Sequence, residues 1–172
     1  MNQYKKNKTL KLCITALFIA LTCIFTMVIQ IPIPLGYAHL GNSVILFAVF
    51  YYSTKGGIIA GSMGSALADM LTGFNQWIIP TLIIKAALAL TAALIGKKKE
   101  KWKLYSVRTI IALILSMAVM VIGYSISGAI MYGSIGAGLA SAPGLMAEGI
   151  VNIIAFYLFA TAFSKVKWKG DY

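Results

Sequence analysis

Acidic residues are scarce in this chain. Two aspartates and two glutamates stand against 15 Lys and Arg in 172 residues, with one histidine, His39, and two cysteines, Cys13 and Cys23. These shortages exclude several kinds of chemistry. One histidine without a cysteine pair or an H-E-x-x-H run supplies no metal-ligand set, so no metal is expected. His39 has Asp69 as its one nearby acid, and no Ser–His–Asp or Cys–His arrangement can be placed, so no residue is assigned as catalytic. The chain has no G-x-x-x-x-G-K-[ST] run to bind ATP through a P-loop, and it is expected to hold no cofactor of its own. Gly133, Gly136 and Gly138 follow no Rossmann-type strand. Cys13 and Cys23 lie about 15 Å apart along a helix, beyond disulfide reach, and read as small packing residues.

The chain does have long apolar runs. It is 60% hydrophobic and 11% charged, and its mean hydropathy is +0.86. A soluble domain is about one quarter charged. The expectation is an all-α integral membrane protein with one transmembrane domain over residues 1–172. Fourteen of the 15 basic residues fall in four clusters: Lys5, Lys6, Lys8 and Lys11; Lys55; residues 97–108; and Lys165, Lys167 and Lys169. The turns near 32–40, 73–77 and 133–142 carry none. Basic loops stay cytoplasmic, so the alternation implies an even number of crossings with both termini in the cytoplasm. The net charge of +11 is accounted for by flanks facing anionic lipid, and nucleic acid is not an expected partner. The first segment is too long for a signal-peptide core and no A-x-A-like site follows it, so it reads as a retained helix.

Six spanning segments are predicted, at about 9–31, 40–53, 56–72, 78–95, 107–131 and 143–163. Pro32 and Pro34 force a turn after the first. The second is short for a crossing, and the charge alternation argues that it crosses. Two faces of the third segment are readable. Gly57, Gly61, Gly64 and Ala68 form a small-residue stripe suited to close helix approach, and Ser62, Ser65, Asp69 and Thr72 form a polar stripe beside it. Cys13, Ala16, Ala20 and Cys23 make a small stripe on the first segment. Such a stripe serves either packing within the bundle or an external partner.

Ionisable groups within a bilayer cost a few kcal/mol or more each, and those that persist usually have a function. Asp69, Lys85 and Glu148 qualify, with Asn152 one turn beyond Glu148. The topology puts them in the outer half of the membrane, with His39, Asn42, Asn75, Gln76 and Trp77 at or beyond the same face. Polar groups from separate segments thus converge on a pocket for a small polar molecule, open to the outside. The alternative is a structural ion pair of Lys85 with Asp69 or Glu148. Tyr124, Ser127, Met117 and Met120 share a face of the fifth segment, as packing or as the wall for an aromatic ligand.

Four runs carry a resemblance: 36–42 (GYAHLGN), 55–61 (KGGIIAG), 64–73 (GSALADMLTG) and 80–85 (PTLIIK). They resemble the substrate-binding S component of energy-coupling factor (ECF) transporters, well over residues 9–96 and by layout beyond. The resemblance implies a six-helix bundle that binds a vitamin or metal ion near the extracellular face. It also implies assembly with a transmembrane coupling subunit and two cytoplasmic ATPases, which bind the ATP. In the family an Ala-x-x-x-Ala motif on the first helix docks onto the coupling subunit, and Ala16 and Ala20 match it. The loop at about 31–39 would be a lid, and the loaded subunit would topple in the membrane to deliver its cargo. The metal-transporting branch uses an N-terminal His ligand, absent here.

The likeness is greatest to pyridoxine- and hydroxymethylpyrimidine-type members, which often carry Asp where this chain has Asn42, and is weaker to riboflavin-type members around the third helix. The resulting expectation is capture of one of those two compounds at the extracellular face of the bacterial cytoplasmic membrane and its delivery across that membrane as the S component of an ECF-type ABC transporter. Asp69 and Glu148 would meet the ring nitrogen or hydroxyls, and Lys85 would balance charge or donate. His39, Asn42, Trp77, Tyr124 and Asn152 would complete the wall. The alternatives are an S component for riboflavin, thiamine, folate or pantothenate, a self-sufficient facilitator or channel, and a membrane enzyme or assembly factor.

Overall fold

The structure is a computed structural model that describes residues 3–98 and 101–164, with side chains from Lys8 onward. The basic residues Lys5, Lys6, Lys165, Lys167 and Lys169 of the charge pattern have side chains outside the described residues, as does Lys99.

Helix α1 covers Gln3–Met27 and ends before the predicted 31, because a short antiparallel hairpin follows: β1 (Ile31–Ile33) and β2 (Gly36–Ala38). Ile31 pairs with Ala38 and Ile33 with Gly36, leaving a two-residue turn of Pro34 and Leu35. Leu35 sits at φ 67°, in the left-handed region that glycine usually occupies; holding a branched residue there costs about 1–3 kcal/mol. Helix α2 (Gly41–Phe47) runs on through a π-helical stretch, Ala48–Tyr52. Ser53 caps α3 (Thr54–Leu71) by accepting from Gly56 N–H. Gly73, at φ 85°, turns the chain, and the 3-10 turn Asn75–Trp77 opens α4 (Ile78–Gly96). Pro80 falls in the first turn of α4, where its missing N–H is not needed. Helix α5 (Val107–Tyr132) is capped by Ser106 and ended by left-handed Gly133. A short helix that the sequence reading did not predict, α6 (Ile135–Ala140), precedes α7 (Ala142–Phe163).

This is an all-α membrane protein. The stretches Lys8–Met27, Asn75–Gly96, Val107–Tyr132 and Ile135–Phe163 are long and apolar enough to cross a bilayer, and the shorter Gly41–Tyr52 is also apolar. Helix α3, with Lys55, Asp69 and its glycines and serines, is less apolar and lies against α1, α2 and α4. Its small stripe packs inside the bundle. A Cβ on Gly57 would overlap Val49, one on Gly61 would meet Ile45, and one on Gly64 would meet Ile19 and Thr22. The stripe on α1 is different. Cys13, Ala16 and Ala20 are exposed, and only Cys23 turns inward. The apolar core runs through α2, α4, α5 and α7, around Leu46, Leu88, Leu113 and Phe156.

Candidate functional site

The C-terminal ends of α1, α3 and α5 and the N-terminal ends of α2, α4 and α7 meet at one end of the bundle, beneath the hairpin. This arrangement brings together polar residues far apart in sequence. Asn42 Oδ1 accepts from Lys85 Nζ at 2.7 Å, and Asn42 Nδ2 donates to Glu148 Oε1 at 2.7 Å. Lys85 Nζ also lies 3.8 Å from Met120 Sδ and 5.2 Å above the Tyr124 ring. Glu148 Oε1 is 3.5 Å from His39 Nδ1. Asn42, Lys85, Glu148 and His39 are all buried, Asn42 completely and Lys85 to 1% exposure. Neither Asp69 nor Glu148 forms an ion pair within 4.0 Å of Lys85 among the described residues. The direct ion pair of the alternative reading is replaced by an amide bridge.

His39 precedes α2. Its Nδ1 accepts from Gly41 N–H at 3.0 Å, and its Nε2 lies 3.5 Å from Lys85 Nζ. Burial and the nearby Lys85 ammonium push the His39 pKa well below its usual value, so the ring is neutral at pH 7. Asn152 holds the same corner. Its Oδ1 accepts from Ser43 N–H at 2.8 Å, and its Nδ2 donates to the carbonyls of His39 and Glu148 at 2.7 and 2.9 Å. Asn152 therefore ties the start of α2 to α7, sharing the Ser43 N–H with the Leu40 carbonyl, which lies at 3.2 Å.

A cavity of about 50 Å³ lies beside this network. Five of the eight residues predicted to bind ligand line it: His39, Asp69, Trp77, Tyr124 and Glu148. Asn42, Lys85 and Asn152 stand behind them. The hairpin forms the cavity's other side, through Ile33, Pro34, Leu35 and Tyr37. Ile33 packs where a Cβ on Gly144 would sit, and Leu35 approaches Gly128 in the same way. The hairpin is thus seated in notches on α7 and α5. That space is well below the roughly 150 Å³ of a cavity that takes up benzene, so the lining as it stands encloses no room for a ring-sized molecule. Admitting such a molecule requires part of this lining to shift, and the hairpin is one side of it.

Tyr37 and Thr81 were missed by sequence reasoning. Tyr37 OH donates to Asp69 Oδ1 at 3.1 Å and lies 3.4 Å from Thr72 Oγ1. Burial raises the Tyr37 phenol above its ordinary pKa, so it remains a donor. Tyr37 lies within a run quoted above, but nothing in that run names its partner. Thr81, which lies against Asp69, shares a hydrogen bond of 3.0 Å with Tyr124 OH. Its signal was available, because Thr81 is one helical turn before Lys85 on the same face.

The sequence profile of the family described as "ECF-type riboflavin transporter, S component" matches residues 6–165. The chain belongs to this family of S components. A relative named thiamine precursor transporter HmpT, from Lactococcus lactis, is 31% identical over 165 residues, covering 92% of this chain and 88% of its own. An uncharacterised Pyrococcus woesei protein is 32% identical over 114 residues, covering 65% of this chain and 74% of its own. This S component is a transporter subunit and not an enzyme, and its part in the transporter is to capture a vitamin or vitamin precursor. The family description names riboflavin, whereas the Lactococcus relative is named for a thiamine precursor.

Proposed function

We propose that this S component captures hydroxymethylpyrimidine or pyridoxine in the cavity beneath the β1–β2 hairpin and delivers it across the bacterial cytoplasmic membrane. The observation that carries the reading is the buried Lys85–Asn42–Glu148 network beside a cavity lined by Asp69, Trp77 and Tyr124. Placing an ammonium and a carboxylate out of water costs several kcal/mol per ion. Here the two are bridged by an amide, and a neighbouring carboxyl, Asp69, lines the cavity. Hydroxymethylpyrimidine is the pyrimidine half of thiamine, which agrees with the name of the Lactococcus relative.

The full topology in this reading is a single domain of six crossings, with α2 and α3 as the second and third and both termini cytoplasmic. The basic loops at Lys55 and 97–108 support it. The exposed Ala16 and Ala20 on α1 would dock onto a transmembrane coupling subunit. Two cytoplasmic ATPases would bind the ATP, and this chain would need no cofactor or metal. The hairpin would act as the lid.

Titration of the purified protein with hydroxymethylpyrimidine, pyridoxine, riboflavin, thiamine, folate and pantothenate tests the reading. Binding of one of the first two more tightly than the others supports it. Binding of another vitamin keeps the S-component role and changes the cargo. Binding of none below about millimolar removes it. Uptake into liposomes without any ATPase would instead support a self-sufficient facilitator.

A further inference from the structure

Most polar side chains lining the cavity already have partners. His39 is held by Gly41 N–H, Glu148 by Asn42, Tyr37 by Asp69 and Ser141 by Gly138 O, while Thr81 and Tyr124 hold each other. Among the described residues, two buried atoms of the lining have no hydrogen bond within 3.5 Å: Asp69 Oδ2, on a carboxyl that the Thr81 hydroxyl also approaches, and Trp77 Nε1. The two side chains are only 7% and 6% exposed. A buried polar atom left without a partner costs about 1–3 kcal/mol, so a ligand that supplies partners recovers that cost.

The two orphans are chemically opposite. Tyr37 donates to Oδ1 of Asp69, and the remaining Oδ2 is an acceptor; an indole N–H can only donate. Resting on the reading of the cavity as the cargo site, we propose that Asp69 and Trp77 are its specificity-determining pair and select an aminopyrimidine. The exocyclic amine donates to Asp69 Oδ2, and a ring nitrogen accepts from Trp77 Nε1. Pyridoxine answers the same pair less selectively, because its hydroxyls both donate and accept. Replacing the amine by a carbonyl oxygen reverses donor and acceptor on that edge of the ring. The oxo compound therefore presents an acceptor to Asp69, and sites with buried polar groups reject such mismatches strongly.

The test measures binding of three ligands by calorimetry: 4-amino-5-hydroxymethyl-2-methylpyrimidine, its 4-oxo analogue, and the aminopyridine in which carbon replaces the ring nitrogen beside the amine. Wild type is expected to bind the amino compound at least about tenfold more tightly than the oxo compound. Trp77→Phe keeps the aromatic body and is expected to lose about tenfold for the aminopyrimidine, with no change for the aminopyridine. Amino and oxo compounds binding alike, or a Trp77→Phe loss that is equal for both ring types, overturns the assignment. A different vitamin binding tightly while the aminopyrimidine does not overturns the assignment and leaves the cargo site standing. Failure of every vitamin to bind removes both. The ligand comparison needs no variant, so it holds even if Trp77→Phe does not fold.

Discussion

Asn42 stands between Lys85 and Glu148, accepting from one and donating to the other at 2.7 Å each. One amide thereby serves both buried charges. Asn42→Ala leaves an ammonium and a carboxylate in the interior without that partner, at a cost of about 3 kcal/mol. Thermal unfolding in detergent is expected to show a large drop in Tm. An unchanged Tm would mean that water or a rearranged Lys85 does the same work.

Asp69 separates cargo recognition from stability. Its Oδ1 is tied to Tyr37 on the hairpin and its Oδ2 has no hydrogen bond within 3.5 Å among the described residues. Asp69→Asn is expected to weaken cargo binding at least about tenfold, about 1.4 kcal/mol, while the protein still folds. Loss of folded protein would assign Asp69 to structure.

Asn152 is expected to behave in the opposite way. All three of its hydrogen bonds go to backbone. Asn152→Ala removes these ties between α7 and the chain around His39 and Ser43 and should cost about 1 kcal/mol or more of stability, with a smaller loss of affinity than Asp69→Asn. A larger loss of affinity than Asp69→Asn would place Asn152 in contact with cargo.

The convergence of Asp69, Lys85 and Glu148 was legible because the rule that keeps basic loops cytoplasmic gives each helix a direction, and direction fixes which end each residue occupies. The partners were not legible. Asn42 and Glu148 are 106 positions apart, and which of several polar groups they meet depends on helix rotation and side-chain packing. Asn152 shares a helix face with Glu148, which suggested one role for both, but the structure turns its amide onto the start of α2. Pro32 and Pro34 marked a turn. The strand pairing around them, and the seats for Ile33 and Leu35 on Gly144 and Gly128, arise only when α5 and α7 are in place.

The hairpin's seat can be tested at Gly144. A side chain there meets Ile33, the nearest atom lying 2.6 Å from an added Cβ. Gly144→Val is expected to hold the hairpin off α7 and speed cargo release several-fold, measured by stopped-flow tryptophan fluorescence with Trp102 and Trp168 replaced by Phe so that Trp77 alone reports. An unchanged release rate would show that the hairpin does not gate the cavity.

His39 predicts the direction of pH dependence. Its folded-state pKa is lowered by burial and by Lys85, so at pH below about 6.5 the unfolded chain binds more protons than the folded one. His39 therefore contributes stability above about pH 6.5 that is lost as pH falls toward its lower folded-state value. Between pH 7.5 and pH 5 the wild type is expected to lose more Tm, or gain less, than His39→Gln. An equal difference in the variant would assign the effect to other groups.

Docking is tested on α1. Ala16→Trp and Ala20→Trp fill an exposed small stripe without touching the cavity. With the coupling subunit and ATPases present, each is expected to abolish uptake while cargo affinity stays within about twofold. Uptake that survives both substitutions would show that the partner docks elsewhere.

Native mass spectrometry of the purified S component, wild type beside Asp69→Asn, tests most directly whether the cavity beneath the hairpin holds cargo. The wild type is expected to retain one small heteroaromatic molecule, taken up from rich medium or added as hydroxymethylpyrimidine, and Asp69→Asn to lose it. A wild type that stays at its bare mass with every vitamin offered at millimolar concentration, or a variant that keeps the same molecule, would contradict the account.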